Sequence, residues 1–180
     1  MAFPKSRARS PSASPSPVVT NFMRQQGFAE EPADACNMRF EGLYFQPAIV
    51  FPLVLVAVAL QSAVLFLLIS AALWWSVLVP TRNPFELAYN RWIAAPRGRL
   101  PLSPAPSPRR FAQAVNAAFN LGSGLTLLAG QREASWVIQA MLVAAFSLLV
   151  FGKFCLGAYV FHLLRGEVAF ANRTLPWARD

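Results

Sequence analysis

Two cysteines and one histidine are the side chains of this sequence best suited to redox or metal chemistry: Cys36, Cys155 and His162. His162 follows Cys155 by two helical turns, so a single helix would carry both on the same face. Three such side chains are fewer than the four ligands of a structural zinc site, and cytoplasmic thiols are commonly buried and reduced. We therefore predict no metal and no cofactor. All three residues stay redox candidates, and His162 is also a weak candidate for binding a pigment.

A line of polar side chains is the second set that could do chemistry. It consists of Gln113, Asn116, Asn120 and Ser123. Their intervals of three and four residues place them on one helical face. Unpaired amides are costly in hydrocarbon, so this face should turn inward, towards Gln139 or Ser147 of another helix. One interpretation is hydrogen bonding between helices, and the other is a lining for a polar ligand, a quinone head group or a pigment. No member titrates, which disfavours a proton path.

Small residues form a third set, in which two helices could approach closely. They are Gly122, Gly124, Ala140 and Ala144. They suit packing within a helical bundle or against a partner subunit, and the sequence leaves both open.

The elements that carry these residues are predicted to be membrane helices. The chain is 56% hydrophobic and only 13% charged, and no charge occurs from Leu43 to Val79. A single helix over that stretch would be about 55 Å long, whereas a hydrocarbon core is about 30 Å thick. The polar pair Gln61–Ser62 marks the expected turn between helices near 43–60 and 63–79. Pro47 is assigned to the first turn of the first helix, and Pro52 should kink its interior.

A second hairpin is predicted over residues 111–165. Its first helix is Phe111–Ala129, ended by Gly130, and an apolar run from Ala134 to Leu164 follows. That run exceeds the bilayer, so we expect its end to emerge or the helix to bend near Gly152. The remaining segments are a disordered basic Ser/Pro-rich tail at 1–20, a juxtamembrane segment at 21–42, the hairpin at 43–79, a cytoplasmic loop at 80–110 and a C-terminal tail at 166–180.

The long loop should contain a short amphipathic helix at 84–95. Asn83-Pro84-Phe85-Glu86 combines an N-cap residue, a proline at the first helical position and the acid of a capping box. Helical spacing then places Phe85, Tyr89 and Trp92 on one apolar face, which we expect to lie on the membrane surface.

The basic residues predict the orientation. Of the 16 lysines and arginines, all but two lie before the first predicted span, in the long loop or after the last apolar run. The exceptions are Arg132, in the second hairpin turn, and Lys153, which lies near the end of the last span on the same side as the long loop. Four spans with both termini in the cytoplasm of a bacterium satisfy the positive-inside bias. The same bias accounts for the net charge of +8, so we predict no nucleic-acid partner.

Four short patterns occur in order around the predicted spans. They are Cys36-Asn37-Met38-Arg39-Phe40, Asn83-Pro84-Phe85, Pro108-Arg109-Arg110-Phe111-Ala112-Gln113 and Phe154-Cys155-Leu156-Gly157-Ala158-Tyr159. Over residues 36–166 the chain thereby resembles a bacterial integral-membrane family, the domain-of-unknown-function family 4395. The resemblance implies a small polytopic membrane protein without an established activity. Some relatives carry a second cysteine where this chain has Ala158. Because the alanine has no thiol, the resemblance does not imply intrahelical dithiol chemistry here.

Our leading functional expectation is a non-enzymatic accessory or assembly subunit of a larger inner-membrane complex of respiratory or photosynthetic type. Its partners would be the lipid bilayer and other membrane-protein subunits. The alternative is a membrane thiol-redox protein that uses Cys36 and Cys155, with His162 tuning the thiolate. The third reading is a small carrier or a bundle that binds a pigment or a quinone.

Overall fold

A computed structural model describes residues 16–28 and 33–178, including the side chains except at residues 33–38. Every regular element within these ranges is helical, as the predicted all-α class requires. The helices are α1 Pro17–Gln25, α2 Ala33–Ala59, α3 Ala63–Leu78, α4 Pro84–Tyr89, α5 Ser107–Leu128, α6 Arg132–Val150, α7 Leu156–Leu164 and α8 Val168–Arg173. A 3-10 turn, Pro80–Arg82, precedes α4, which continues as a π-helical turn, Asn90–Ala94.

Helices α3 and α5 are antiparallel neighbours. The Ser70 hydroxyl donates to the Ala117 carbonyl at 2.8 Å. Towards the other end, the Arg110 guanidinium donates to the Val77 carbonyl at 3.1 Å. Hydrogen bonds from one side chain to the opposite backbone hold the two helices in register.

Helices α2 and α6 pair in the same antiparallel sense, which completes a four-helix bundle with α3 and α5. The rings of Phe51 and Phe146 stack with their centroids 5.6 Å apart. Near the far end of the bundle, the Gln61 amide donates to the Gln139 side-chain oxygen at 2.9 Å. The bundle core consists of Val50, Phe51, Val54, Ala57, Phe66, Ile69, Leu73, Ala117, Leu142 and Phe146.

Both hairpin turns occur where the sequence predicts them. The first follows Ala59, with Gln61 at φ +46°, and the Ser62 hydroxyl caps α3 by accepting the Leu65 N–H at 3.4 Å. The second contains Gly130 at φ +71°, a left-handed conformation that glycine adopts without steric cost. Ser62 and Gly130 therefore act as the local signals for the two turns.

A cap of short helices covers the end of the bundle at which α5 begins. Its core joins α1, the start of α2, the α4 region and the start of α7, through Val19, Phe22, Met23, Phe28, Leu43, Tyr89, Ala94, Leu102, Cys155 and Ala158. The extended segment before α5 is fastened to this cap by Asn90, whose side-chain oxygen accepts the Leu102 N–H at 2.7 Å. The same amide donates to the Leu102 carbonyl at 3.2 Å.

The last apolar run is broken where the bend was expected. Helix α6 ends at Val150, Lys153 lies at φ +50°, and α7 folds back against the start of α5. A Cβ on Gly157 would lie 2.8 Å from the Ala112 Cα, so only glycine permits this approach of α7 to α5. Residues 156–164 therefore belong to the cap and do not continue α6.

Two boundary predictions near the N-terminus are wrong. Helix α1 begins at Pro17, inside the predicted disordered tail at 1–20, because Ser16 caps it and proline is favoured at the first helical position. Residues 1–15 of that tail lie outside the described residues. Because α2 begins at Ala33, Pro47 lies in its interior and not in its first turn.

The loop helix is only partly as predicted. Asn83 caps it by accepting the Phe85 N–H at 3.0 Å. However, Tyr89 is buried in the cap while Trp92 is 70% exposed, so the apolar residues do not share one surface face. The π-helical turn from Asn90 explains the difference, because its wider repeat changes the direction of the following side chains.

Two helices, Arg39–Ala59 and Arg132–Val150, are long and apolar enough to cross a bilayer. Helix α3 is apolar but has 16 residues. Helix α5 has 22 residues, but it carries the polar line and two arginines in its first turns. Within residues 16–28 and 33–178, length and composition thus identify two candidate spans.

Candidate functional site

A cavity of about 280 Å³ lies where the cap meets the bundle. Its walls come from α1, α2, α3, α5, α6 and α7, and most of the lining is apolar: Leu43, Val50, Phe119, Leu142, Phe146 and Val160 are examples. Met141 and Leu156 line the cavity and are also 55% and 41% exposed on the outer surface. The cavity is therefore bounded on one side by the outward-facing surfaces of α6 and α7.

One stretch of the cavity wall is polar and contains a buried arginine. Arg109 is 5% exposed, and both terminal nitrogens of its guanidinium lie 3.3 Å from the Leu43 carbonyl oxygen. That carbonyl is free to accept because Pro47, four residues later, has no N–H for the helical hydrogen bond. The interior proline of α2 thus creates the acceptor that positions Arg109.

An amide network adjoins the arginine. The Gln113 side chain donates to the Gln46 side-chain oxygen at 2.7 Å, and the same oxygen lies 3.4 Å from an Arg109 nitrogen. Gln46, Arg109 and Gln113 all line the cavity. They form a polar patch in a wall made mostly of aliphatic and aromatic side chains.

The predicted polar line lies on the inner side of α5. Its members are largely buried, and in each of them a side-chain oxygen lacks a hydrogen-bond partner: Gln113 Oε1, Asn116 Oδ1, Asn120 Oδ1 and Ser123 Oγ. Gln113 bonds to Gln46 of α2 and not to the expected Gln139 or Ser147. The Asn120 amide donates to its own helix, at the Asn116 carbonyl. Bonding between helices therefore accounts for only part of the line.

Deeper in the bundle, the line meets a second polar group. The Ser135 hydroxyl lies 3.4 Å from the Ser123 carbonyl and accepts the Gln139 amide at 2.8 Å. Gln139 in turn pairs with Gln61 at the first hairpin turn. Asn120 Oδ1 and Ser123 Oγ still lack partners at this end of the line, as Gln113 Oε1 and Asn116 Oδ1 do beside the cavity.

Cys155 precedes α7 in an extended conformation and His162 lies within the helix, and both residues contact Gln25 of α1. The Cys155 N–H donates to the Gln25 side-chain oxygen at 2.9 Å, and His162 Nε2 lies 3.1 Å from the Gln25 carbonyl oxygen. His162 Nδ1 lies 2.6 Å from a Glu167 carboxylate oxygen. Both ring nitrogens therefore face acceptors, so His162 ties α1 to the chain after α7 and has no nitrogen available for a pigment.

The environment of Cys155 disfavours thiolate chemistry. The residue is buried, and this burial raises the pKa of its thiol. A raised pKa keeps the thiol protonated, and the thiolate is the reactive form. The Cys36 side chain lies outside the described residues, so the predicted approach of the two sulfurs stays a prediction. Among the described residues, no group of three or more His, Cys, Asp and Glu side chains is arranged to hold a metal ion.

The family model of the "Domain of unknown function (DUF4395)" matches residues 13–165. The chain belongs to this family. No curated protein and no solved structure matches the chain. In this DUF4395 protein, every residue that lines the cavity falls within the matched range.

The four small residues singled out in the sequence have different surroundings in this DUF4395 protein. A Cβ on Gly124 would lie 2.8 Å from Leu67 Cγ, so Gly124 lets α5 approach α3. A Cβ on Gly122 would make an ordinary 3.6 Å contact with Ile138. Ala140 and Ala144 lie on the exposed face of α6, away from the neighbouring helices.

Sequence reasoning missed three residues of the cavity wall: Arg109, Gln46 and Pro47. In the sequence, Arg109 belongs to the basic residues that predict the orientation and to the third of the four short patterns. The available signal was the interior proline, since a helix that starts well before Pro47 must leave the Leu43 carbonyl unpaired. An arginine at the start of a neighbouring apolar helix is a suitable donor for that carbonyl.

Proposed function

We propose that this protein binds a small amphiphile, a molecule with one compact polar head and one apolar chain, in the cavity between cap and bundle. The observation that carries the proposal is the composition of the wall. Aliphatic and aromatic side chains line most of it, and Gln46, Arg109, Gln113 and Asn116 contribute polar side chains to one part. Ligand sites typically combine an apolar lining with a few polar groups that orient the ligand.

We also propose that α2, α3, α5 and α6 each cross the membrane, with both termini in the cytoplasm. Antiparallel pairing of the four helices supports this arrangement, because it gathers the cap and nearly all basic residues of the described segments at one end. The turn with Arg132 lies at the other end. A fluorescent reporter fused after Asp180 should report a cytoplasmic location, and an alkaline phosphatase fusion at Gly130 should be active. The opposite pair of results would reject this topology.

The ligand would come from the bilayer. Met141 of the bundle and Leu156 of the cap both line the cavity and both contribute to the outer surface beside it. In the proposed orientation that surface contacts lipid, so an apolar chain could pass between α6 and α7 without crossing water. This lateral route is the property expected of a carrier or a quinone-type binding bundle.

A cavity-filling variant tests the proposal. Ala145 lines the cavity, whereas its neighbour Ala144 is exposed and does not line it. We expect Ala145→Trp to abolish photo-crosslinking of a diazirine-bearing dodecanol to peptides of the cavity wall, in protein reconstituted into phosphatidylcholine nanodiscs. Ala144→Trp should leave the labelling unchanged. Equal labelling of the cavity peptides in the two variants, or none in the wild type, would reject the proposal.

The role of accessory subunit remains a proposal beside this one. A binding bundle of this kind could also belong to a larger membrane complex, and the four-span arrangement is compatible with both. The thiol-redox alternative has less support, since the Cys155 thiol is buried with a raised pKa and His162 bonds to Glu167 and Gln25.

A further inference from the structure

The buried arginine of the cavity wall has neutral partners only. Its terminal nitrogens contact the Leu43 carbonyl and the Gln46 side-chain oxygen at 3.3–3.4 Å, and its Nε has no partner. These contacts are longer than the 2.7–2.9 Å of a charge-assisted hydrogen bond. Within the part of the chain that the structure describes, no carboxylate lies within 4 Å of the guanidinium.

The carboxylate that acts on Arg109 from a greater distance is Glu86. Glu86 is itself buried, and one of its oxygens lacks a hydrogen-bond partner. Removal from water raises the pKa of Glu86, and the charge of Arg109 opposes that effect. Since a buried cation without a close counter-ion is costly, the site would be stabilised by an anion.

We propose that the amphiphile in the cavity carries an anionic head, of the carboxylate class, which pairs with Arg109. This inference rests on the proposed function and adds the charge of the ligand. The carboxylate replaces the long contact to Gln46 and accepts hydrogen bonds from the guanidinium, whose planar donors match its two oxygens. The apolar chain lies against the α6 and α7 walls.

The neighbouring amides can adapt to such a head. Gln46 and Gln113 form one amide–amide hydrogen bond, and Gln113 Oε1 lacks a partner. If both amides rotate by half a turn, their mutual bond persists in the reverse direction and the free oxygen becomes the acceptor. The rotation also withdraws the Gln46 oxygen from Arg109, and the carboxylate takes its place as the acceptor. An occupied site would thus satisfy both Arg109 and Gln113.

The test compares two probes that differ only in the head. Dodecanoic acid and dodecanol, each with a terminal diazirine, are crosslinked to the full chain in phosphatidylcholine nanodiscs at alkaline pH, and the labelled peptides are identified by mass spectrometry. Hydrogen bonds to charged groups predict that the acid labels the cavity peptides at a roughly 10- to 100-fold lower concentration than the alcohol. Arg109→Gln should remove this preference, and Arg109→Lys should retain part of it.

Arg110→Gln is the matched control, because Arg110 bonds to Val77 of α3 and does not line the cavity. Labelling by the alcohol reports whether each variant keeps the site. If Arg109→Gln loses that labelling too, the ratio of acid to alcohol in the wild type decides alone. Equal labelling by acid and alcohol in the wild type would overturn the anion while leaving the amphiphile site. If Arg110→Gln loses the preference for the acid as fully as Arg109→Gln, the anionic head is also overturned. If neither probe gives labelling that Ala145→Trp removes, the proposed function itself is rejected.

Discussion

Replacing Gly124 by alanine should loosen the crossing of α5 and α3. The added Cβ would lie 2.8 Å from Leu67 Cγ and 3.2 Å from the Ala63 carbonyl oxygen, where ordinary contacts begin at 3.4 Å. Overpacking of this kind costs about 1–3 kcal/mol. Alanine returns about 0.5–1 kcal/mol through its higher helix propensity. The net expectation is a loss of about 1 kcal/mol in the free energy of unfolding.

Gly122, on the same helix, gives the matched control. Its added Cβ would meet Ile138 no closer than 3.6 Å, so Gly122→Ala should keep only the gain of about 0.5–1 kcal/mol. The two variants should therefore differ by about 1–3 kcal/mol. Unfolding by sodium dodecyl sulfate in a mild detergent, followed by circular dichroism, measures that difference. A Gly124→Ala protein as stable as Gly122→Ala would refute the close helix crossing.

Three further predictions concern the two buried serines, the carboxylate of Glu167 and the thiol of Cys155. Ser123→Ala removes a buried hydroxyl without a hydrogen-bond partner and should leave stability unchanged or raised, whereas Ser135→Ala loses two hydrogen bonds and should cost about 1–3 kcal/mol by the same unfolding assay. Glu167→Gln should lower the melting temperature at pH 6, because the hydrogen bond from His162 lowers the pKa of the Glu167 carboxyl. The buried Cys155 thiol, whose pKa burial raises, should react with a membrane-permeant maleimide only after unfolding.

The sign of the Glu167 effect depends on pH. A lowered pKa in the folded state contributes stability above the unfolded pKa of about 4.3, and this contribution disappears as the pH falls through the folded value. The difference between wild type and Glu167→Gln should therefore shrink as the pH falls below about 4. Glu133→Gln, at an exposed position of α6, serves as the control. A pH-independent difference between wild type and Glu167→Gln would contradict the first expectation. Equal destabilisation by Ser123→Ala and Ser135→Ala would contradict the one for the serines. Rapid maleimide labelling of the folded protein in a Cys36→Ser background would contradict the one for Cys155.

The helices were predictable because their signals are local. An uncharged run that is too long for one span, the polar pair Gln61–Ser62 and the turn at Gly130 follow from chain length, bilayer thickness and glycine conformation. The cap was not predictable in this way. Helices α1 and α7 are short, and contacts with residues far along the chain hold them, such as those from Gln25 to Cys155 and His162.

The sequence predicts only part of the candidate site. The spacing of Gln113 and Asn116 placed both on one face, and both line the cavity. The importance of Arg109 depends on a carbonyl that becomes free only because α2 starts upstream of Pro47, and the start of a helix is poorly marked without a clear cap. The cavity itself results from the break after α6, which turns α7 back onto α5.

The most direct test of the account measures what the protein carries from the membrane. The full chain, Ala145→Trp and Ala144→Trp would be purified in the same mild detergent, and their organic extracts quantified by mass spectrometry against the amount of protein. The account predicts about one equivalent of an acidic single-chain amphiphile in the wild type and in Ala144→Trp, and a large loss in Ala145→Trp. The same extract from all three proteins, or bulk phospholipid alone, would contradict it.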